Sequence, residues 1–433
     1  MNTVIVDRLI KTLGLGSGAK KYLVNTSWLF LEQAVRMGVG LFISVWIIRY
    51  LGPDRYGILS YAQSMVLLLG AVAKLGIDHV LVRELVRKEY RTGTLLGTAL
   101  MLKLIGATVV VLTLATATDV MDMEPVTRLL VLIIAAGTLF KSFDVIGLFF
   151  ESQVRSKYTV SANMFGFIIL VLTKITLLLT KAPLVAFAIV IGGESALYAA
   201  SLLYYYQRLK LPIGSWSVDR SLMGVLLQQS WPLILSGIAI NIGMRIDQIM
   251  LKSYMDAASV GVYAAGVKIA EVFNFLPMII GRSLYPKIVS MDMEKEEHKM
   301  RRMVRDVFYA LVGVSLLVTL ASYPTVMILY GEGYEESYMV VSILIWTIPI
   351  VYSGIMTNRI LLKHNQSRII FIRQTQEAVV NIGLNLFLIP RYGITGAAAA
   401  TLLAMICTMI AEYIIPATRW IFWLKLRYIL FLK

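Results

Sequence analysis

The sequence predicts an all-α polytopic membrane protein: twelve transmembrane helices in two six-helix lobes around a central cleft, both termini cytosolic. Three observations predict it. Of the 433 residues 58% are hydrophobic and 15% charged, and a mean hydropathy of +0.75 excludes a soluble globular chain. Apolar runs of about 20 residues, the length a helix needs to cross ~30 Å of hydrocarbon, recur along the chain. Lys and Arg crowd into alternate connections between these runs.

Taken in order, residues 1–21 carry Arg8, Lys11, Lys20 and Lys21 on a weakly amphipathic pattern and read as a cytosolic segment lying on the membrane. The apolar runs follow at 22–48, 57–76, 95–115, 129–150, 158–180 and 183–206, then at 228–251, 260–285, 307–329, 338–358, 369–389 and 394–416. The first six form an N-lobe, 22–206, and a polar cytosolic linker, 207–221, leads to a C-lobe, 222–418. The tail, 419–433, mixes Trp and Phe with Lys425, Arg427 and Lys433, which suits a basic interfacial segment against anionic phospholipids. Pro232, Pro277, Pro349 and Pro416 fall in or beside these helices, where a missing amide produces a kink or a hinge.

Assigning alternate connections to opposite sides tests the count. The cytosolic set holds 27 Lys and Arg against 10 Asp and Glu; the outward set, all short, holds 6 against 8. The net charge of +15 is therefore an insertion bias and no sign of nucleic acid. Inside the membrane 8 cations face 8 carboxylates, divided as +2 in the first lobe and −2 in the second.

Catalytic and metal chemistry find no foothold. Cys407 is the single cysteine, and His79, His298 and His364 lie far apart in or beside polar loops. No phosphate loop, nucleophile elbow or HExxH occurs, so the chain is expected to be no enzyme and to need no cofactor.

Leu51 to Ala62, which leaves the first run and opens the second, can be laid on Tyr254 to Ala265, which does the same for the seventh and eighth, so that Gly57 meets Gly261. Leu179 to Phe187 likewise resembles Ile389 to Ala397. Offsets of 204 and 210 residues favour a duplicated six-helix unit.

Three stretches carry a resemblance: Arg49-Tyr-Leu-Gly-Pro-Asp-Arg-Tyr-Gly-Ile-Leu, Leu329-Tyr-Gly-Glu-Gly-Tyr-Glu-Glu-Ser, and Asn381 through Pro390-Arg-Tyr-Gly-Ile-Thr-Gly-Ala to Thr401. With them the chain resembles the Wzx-type polysaccharide flippases of the multidrug/oligosaccharidyl-lipid/polysaccharide exporter superfamily. The resemblance implies translocation of an undecaprenyl-pyrophosphate-linked oligosaccharide across the bacterial cytoplasmic (inner) membrane, for O-antigen, lipopolysaccharide or other surface polysaccharide. It also implies a polysaccharide polymerase and a chain-length regulator as partners, and coupling to a proton or sodium gradient.

Charges at mid-membrane cost ~2.5–3.5 kcal/mol each on insertion scales, so they face a cavity or a partner. Arg36, Arg245, Lys103, Lys141 and Lys174 are the expected cationic cavity wall for pyrophosphate or acidic sugars. Asp247, Glu271 and Glu377 are the expected ion-coupling carboxylates. Mutual neutralisation is the competing role: Glu32 and Arg36 are four apart, and Lys141 with Asp144 and Lys268 with Glu271 are three apart. Lys74 and Arg282, at helix ends, are expected to reach the headgroups. Rival functions are an ion-coupled multidrug or metabolite exporter of the same superfamily and, against the short outward loops, a membrane polysaccharide polymerase or glycosyltransferase. A lipid II flippase would carry two further C-terminal helices.

Overall fold

The computed structural model describes residues 17–281, 293–363, 367–414, 418–420 and 422–423. Arg282, His364, Pro416, residues 1–16 of the N-terminal segment and residues 424–433 of the tail lie outside the described residues. Every regular element among the described residues is helical, as a hydrocarbon solvent demands: a helix satisfies its own backbone donors and acceptors. Among the described residues, ten stretches of 22 to 47 residues are long and apolar enough to cross a membrane.

Two helices exceed what one crossing can use. α1, Ser17–Leu68, has 52 residues, and α14, Ser367–Ile414, has 48. At ~1.5 Å per residue both run to more than 70 Å, over twice the thickness of the hydrocarbon. Each is broken by a glycine, Gly52 (φ 71°, ψ 170°) ahead of Pro53 in α1 and Gly393 (φ 55°, ψ −132°) beyond Pro390 in α14. These positive φ values exclude most side chains, and the neighbouring prolines remove helical amides.

Between them lie α2 (Gly70–Lys74), α3 (Ile77–Arg87), α4 (Thr92–Val120), α5 (Pro125–Lys141), a 3₁₀ turn at Ser142–Asp144, α6 (Val145–Ser152), α7 (Ser156–Leu179), α8 (Leu184–Arg208), α9 (Arg220–Tyr254), α10 (Ala257–Phe273), α11 (Met293–Leu329), α12 (Ser337–Leu344) and α13 (Thr347–Lys363). Four of the runs expected as single helices are thus interrupted. The 57–76 run ends α1 at Leu68 and restarts as α2; the 129–150 run changes to 3₁₀ geometry after Lys141; the 260–285 run turns at Asn274, three residues ahead of Pro277, and resumes as helix over 275–281; the 338–358 run breaks before Thr347, two residues ahead of Pro349.

The described chain divides into two compact units, residues 1–46 with 65–238, and residues 47–64 with 239–433. The segment 47–64, continuous in sequence with the N-lobe, therefore packs with the second unit.

In the first unit, α3 is a short amphipathic helix that buries Ile77, Val80, Leu81 and Leu85 and exposes Arg83 and Arg87. Its apolar face joins Leu95 and Leu96 of α4, Ile146 and Phe150 of α6, Leu202 of α8 and Leu226 of α9 in one buried cluster. Trp216 donates to the Tyr206 hydroxyl at 3.1 Å and closes this cluster from the connection between α8 and α9. In the second unit the segment 47–64 is seated by close backbone approach at Gly57 and by Tyr334 Oη, which donates to the Ile48 carbonyl at 2.9 Å. Neighbouring hydroxyls tie the stretch around Tyr334 to α10, Tyr330 Oη donating to the Ala265 carbonyl at 3.2 Å and Ser337 Oγ to that of Val262 at 2.7 Å.

Candidate functional site

Each unit holds a polar node among apolar helices. In the first unit Arg36 of α1 lies 3.6 Å from Glu32, one turn back, and 3.5 Å from Glu194 of α8, with its guanidinium 5.5 Å above the Phe167 ring. Asn163 of α7 stands beside Glu32. The expected Glu32–Arg36 pair forms, and Glu194 adds a second carboxylate that spacing along α1 does not reveal.

Lys103 of α4 is 1% exposed, with its Nζ 2.5 Å from Asp78 of α3 and 2.5 Å from Asp144 of the 3₁₀ turn. A buried ammonium between two carboxylates ties three elements together, and its surroundings are those of a structural clamp. Lys74 reaches Asp78 at 3.6 Å, so this cation bonds inward to a carboxylate as well as being 45% exposed. Burial works against the Asp78 charge, but the Lys103 and Lys74 ammonium groups outweigh it and hold the carboxyl below its ordinary value. Asp78 also borders an open cavity of about 530 Å³ lined by His79, Arg83, Arg87 and Glu151. Because Lys103 takes Asp144, the spacing-based pair Lys141–Asp144 does not form, and Lys141 is exposed. Lys174 of α7 is half-buried and has a partner.

The second unit repeats the exchange. Arg245 of α9 lies 3.0 Å from Glu271 of α10, so Glu271 is not the partner of Lys268, three residues before it. Asp247 is 3% exposed and accepts from Tyr263 Oη at 2.7 Å, Asn385 Nδ2 at 2.5 Å and Thr401 Oγ1 at 2.6 Å. Asn385 Nδ2 also donates to Asn381 Oδ1 at 3.1 Å, and Asn381 Nδ2 to Thr401 Oγ1 at 3.3 Å. Asn385 Oδ1 is buried without a hydrogen-bond partner. Next along α9, Gln248 accepts from Ser64 at 2.7 Å. Glu377 is half-buried and feels Arg373, whose guanidinium is 2.7 Å from Glu412 and 3.1 Å from the Asn358 oxygen. Arg245 and Asp247, two residues apart, indeed serve different partners.

Sequence reasoning did not single out Asp78, Tyr263, Asn381, Asn385 or Thr401 as site residues. A signal existed for two of them: Asn381 and Asn385 are one helical turn apart, and polar side chains repeated at that spacing in an apolar helix share a face.

The three stretches that carry the resemblance gain physical content. The first two pack together, with Tyr334 bonded to Ile48 and Gly333 against Pro53, and the third supplies Asn381, Asn385 and Thr401 to the Asp247 node. In the short connections ahead of α12 and α10, Glu335 is held below its ordinary value by the backbone amides of Gly333 and of Glu335 itself, and Asp256 by hydrogen bonds from Ser259 at the start of α10.

A family model for polysaccharide biosynthesis protein matches residues 22–292. A protein of Haloferax volcanii named as the probable flippase AglR is 30% identical over 173 residues, which are 37% of this chain and 35% of that protein. The chain thus spans about a third of the length of the curated relative it matches. Among solved structures, the lipid II flippase MurJ in an inward closed conformation superposes with a TM-score of 0.71 at 13% identity, covering 94% of this chain and 90% of that one. An inward-facing multidrug resistance transporter of the MATE family, MOP superfamily, gives 0.67 at 13% identity, covering 91% and 94%. These likenesses establish a shared fold, and the proteins named are transporters or flippases, not enzymes.

Proposed function

Because the chain belongs to the polysaccharide biosynthesis protein family, we propose that it is a flippase that carries an undecaprenyl-pyrophosphate-linked oligosaccharide from the cytosolic to the outer leaflet by alternating access. The cargo would enter O-antigen, lipopolysaccharide or another surface polysaccharide. A pyrophosphate-sugar headgroup cannot enter hydrocarbon unaided, since each unsatisfied polar group costs several kcal/mol. The observation that carries this reading is the charged interior of the first unit, where Arg36, Lys141, Glu32 and Glu194 stand among apolar helices with Arg36 33% and Glu194 41% exposed.

The ten apolar stretches become twelve crossings if α1 and α14 each cross twice, turning at Gly52 and Gly393. Loop charge then orients both termini to the cytosol of a bacterial inner membrane, with anionic phospholipids at the basic face. A polysaccharide polymerase and a chain-length regulator are the proposed downstream partners.

Asp247 is the proposed coupling carboxylate for a proton or a sodium ion. Neutral donors surround it, no cation pairs with it among the described residues, and the unpartnered Asn385 oxygen beside it adds an oxygen ligand. Glu271, paired with Arg245, and Glu377, beside Arg373, are weaker candidates. The likeness to a MATE multidrug transporter keeps an ion-coupled exporter as the second reading.

Deletion followed by analysis of lipid-linked glycans tests the proposal. Accumulation of one undecaprenyl-linked oligosaccharide on the cytosolic side is the expected result. Unchanged glycans together with altered drug sensitivity would overturn it in favour of the exporter.

A further inference from the structure

The short helix α3 presents two faces. Its apolar face is buried on α4 and α6, while His79, Val82, Arg83, Val86 and Arg87 follow one another at three- and four-residue spacing along its other side. Opposite them the last turns of α6 present Leu148 and Glu151, and with Asp78 these side chains line the open cavity of about 530 Å³. Small-ligand sites occupy ~300–1,000 Å³. The level of the cavity is set by its walls: Leu148 and Glu151 fall at the end of the apolar stretch Pro125–Ser152, whereas α3 belongs to none of the ten apolar stretches. It thus opens where a membrane helix ends against an amphipathic one, which is the depth of lipid headgroups.

The charges that line it are unequally engaged. Asp78 is taken by Lys103 and Lys74. Glu84, buried in α3, lies 2.9 Å from Arg83 Nε and 3.8 Å from the Arg87 guanidinium, and Arg83 Nη2 also donates to Gln229 of α9. One buried carboxylate therefore orients two guanidinium groups that stay about half exposed, at 46% and 54%, with N–H donors to spare. Glu151 is exposed and makes no ion pair among the described residues. The cavity thus offers two cations on its α3 wall, an unpaired carboxylate on its α6 wall, and Val82, Val86 and Leu148 for methylene groups. A molecule with a negative end and a hydrogen-bonding positive end meets all three. A purely anionic headgroup would leave Glu151 facing like charge, and a trimethylammonium group has no N–H to give a carboxylate.

We propose that this cavity is a binding site for phosphatidylethanolamine, a lipid of the surrounding membrane and not the cargo, with its phosphate on Arg83 and Arg87 and its primary ammonium on Glu151. The site stands whatever the cargo is. Because α3 also supplies Asp78 to the Lys103 clamp, a headgroup seated against its outer face braces the helix that closes that clamp. Bound lipid therefore stabilises the folded first unit by mass action.

The test titrates the full-length protein in detergent with phosphatidylethanolamine, phosphatidylglycerol or phosphatidylcholine of matched acyl chains and counts bound lipid by native mass spectrometry. Wild type is expected to hold phosphatidylethanolamine about 3-fold or more tighter than the other two, the scale of a solvent-exposed ion pair. Glu151→Gln should abolish that preference, and Glu151→Lys should invert it towards phosphatidylglycerol, an inversion that only a folded site can give. Arg87→Gln should weaken phosphatidylethanolamine and phosphatidylglycerol alike by about 3-fold. Lys210→Gln, which removes a cation from the connection after α8 and away from the cavity wall, should leave the preference within about 2-fold. The melting temperature should rise with added phosphatidylethanolamine in wild type and not in Glu151→Gln. Equal binding of the three lipids by wild type overturns the site. So does a preference that survives Glu151→Gln, or one that Lys210→Gln abolishes as fully as Glu151→Gln does.

Discussion

Gly57 and Gly261 are in reciprocal backbone contact. A Cβ built on Gly57 would stand 1.7 Å from the Ala257 carbonyl oxygen, and one built on Gly261 would stand 1.9 Å from that of Pro53. Each glycine thus meets the residue four positions before the other, which is the geometry of two related helix starts crossing about a local twofold. The same two glycines align in the internal sequence repeat. Gly57→Ala is expected to lower stability by about 1–3 kcal/mol, the usual range for overpacking, because the obstacle is backbone that cannot swing aside. Thermal unfolding in detergent checks this, and a melting temperature equal to wild type would contradict the contact.

Lys103→Met should be among the most damaging single changes in the first unit. It leaves Asp78 and Asp144 without their shared ammonium, and breaking one side of a buried ion pair costs about 3–5 kcal/mol. The triple variant Lys103→Met, Asp78→Asn, Asp144→Asn should recover much of the loss. Failure of the amides to rescue the melting temperature would show that Lys103 acts through something other than these carboxylates.

For Asp247 the two conservative changes should differ. Asp247→Ala strands three buried donors, from Tyr263, Asn385 and Thr401, at about 1–3 kcal/mol for each donor left unsatisfied. Asp247→Asn keeps the volume and much of the bonding, so it should remain folded while losing any dependence of transport on a proton or sodium gradient. Gradient-driven uptake in proteoliposomes separates the outcomes, and full coupling in Asp247→Asn would remove this carboxylate from the ion path.

Asp256 caps α10 by accepting from the Ser259 amide at 2.8 Å. Asp256→Ala should cost about 1 kcal/mol, the typical value of an N-cap. The pH dependence has a definite sign. The folded carboxyl sits below its ordinary value, so the cap contributes fully above the unfolded-state value of about 3.9 and is lost as pH falls through the folded one. Hydrogen exchange of the first α10 turn should therefore distinguish mutant from wild type at neutral pH and converge in strong acid. A difference that persists in acid would exclude the carboxylate cap.

The helical, membrane-spanning class was legible because transfer into hydrocarbon is a local property. About 20 consecutive apolar residues suffice whatever their neighbours. Breaks at Gly52 and Gly393 were legible too, since the loops 49–56 and 390–393 contain a glycine and a proline each. The ion pairs were legible only where one helix supplies both members, as in Glu32 and Arg36. The i,i+3 partners suggested for Lys141 and Lys268 both lost to cations from other helices, Lys103 and Arg245. Asp78, counted from its position as a cytosolic loop charge, is folded back onto Lys103 because the apolar face of α3 docks on α4.

The sequence by itself determined the solvent of this protein, its helical class, the alternation of charge between its connections and a doubled pattern in which Gly57 answers Gly261. Those follow from composition and spacing along one chain direction. Only the tertiary structure decided which carboxylate neutralises which cation, that Asp247 is ringed by neutral donors and that Lys141 has no ion-pair partner among the described residues. The physical reason is distance: charge pairing falls off within a few ångströms, and those few ångströms are set by which helices lie side by side.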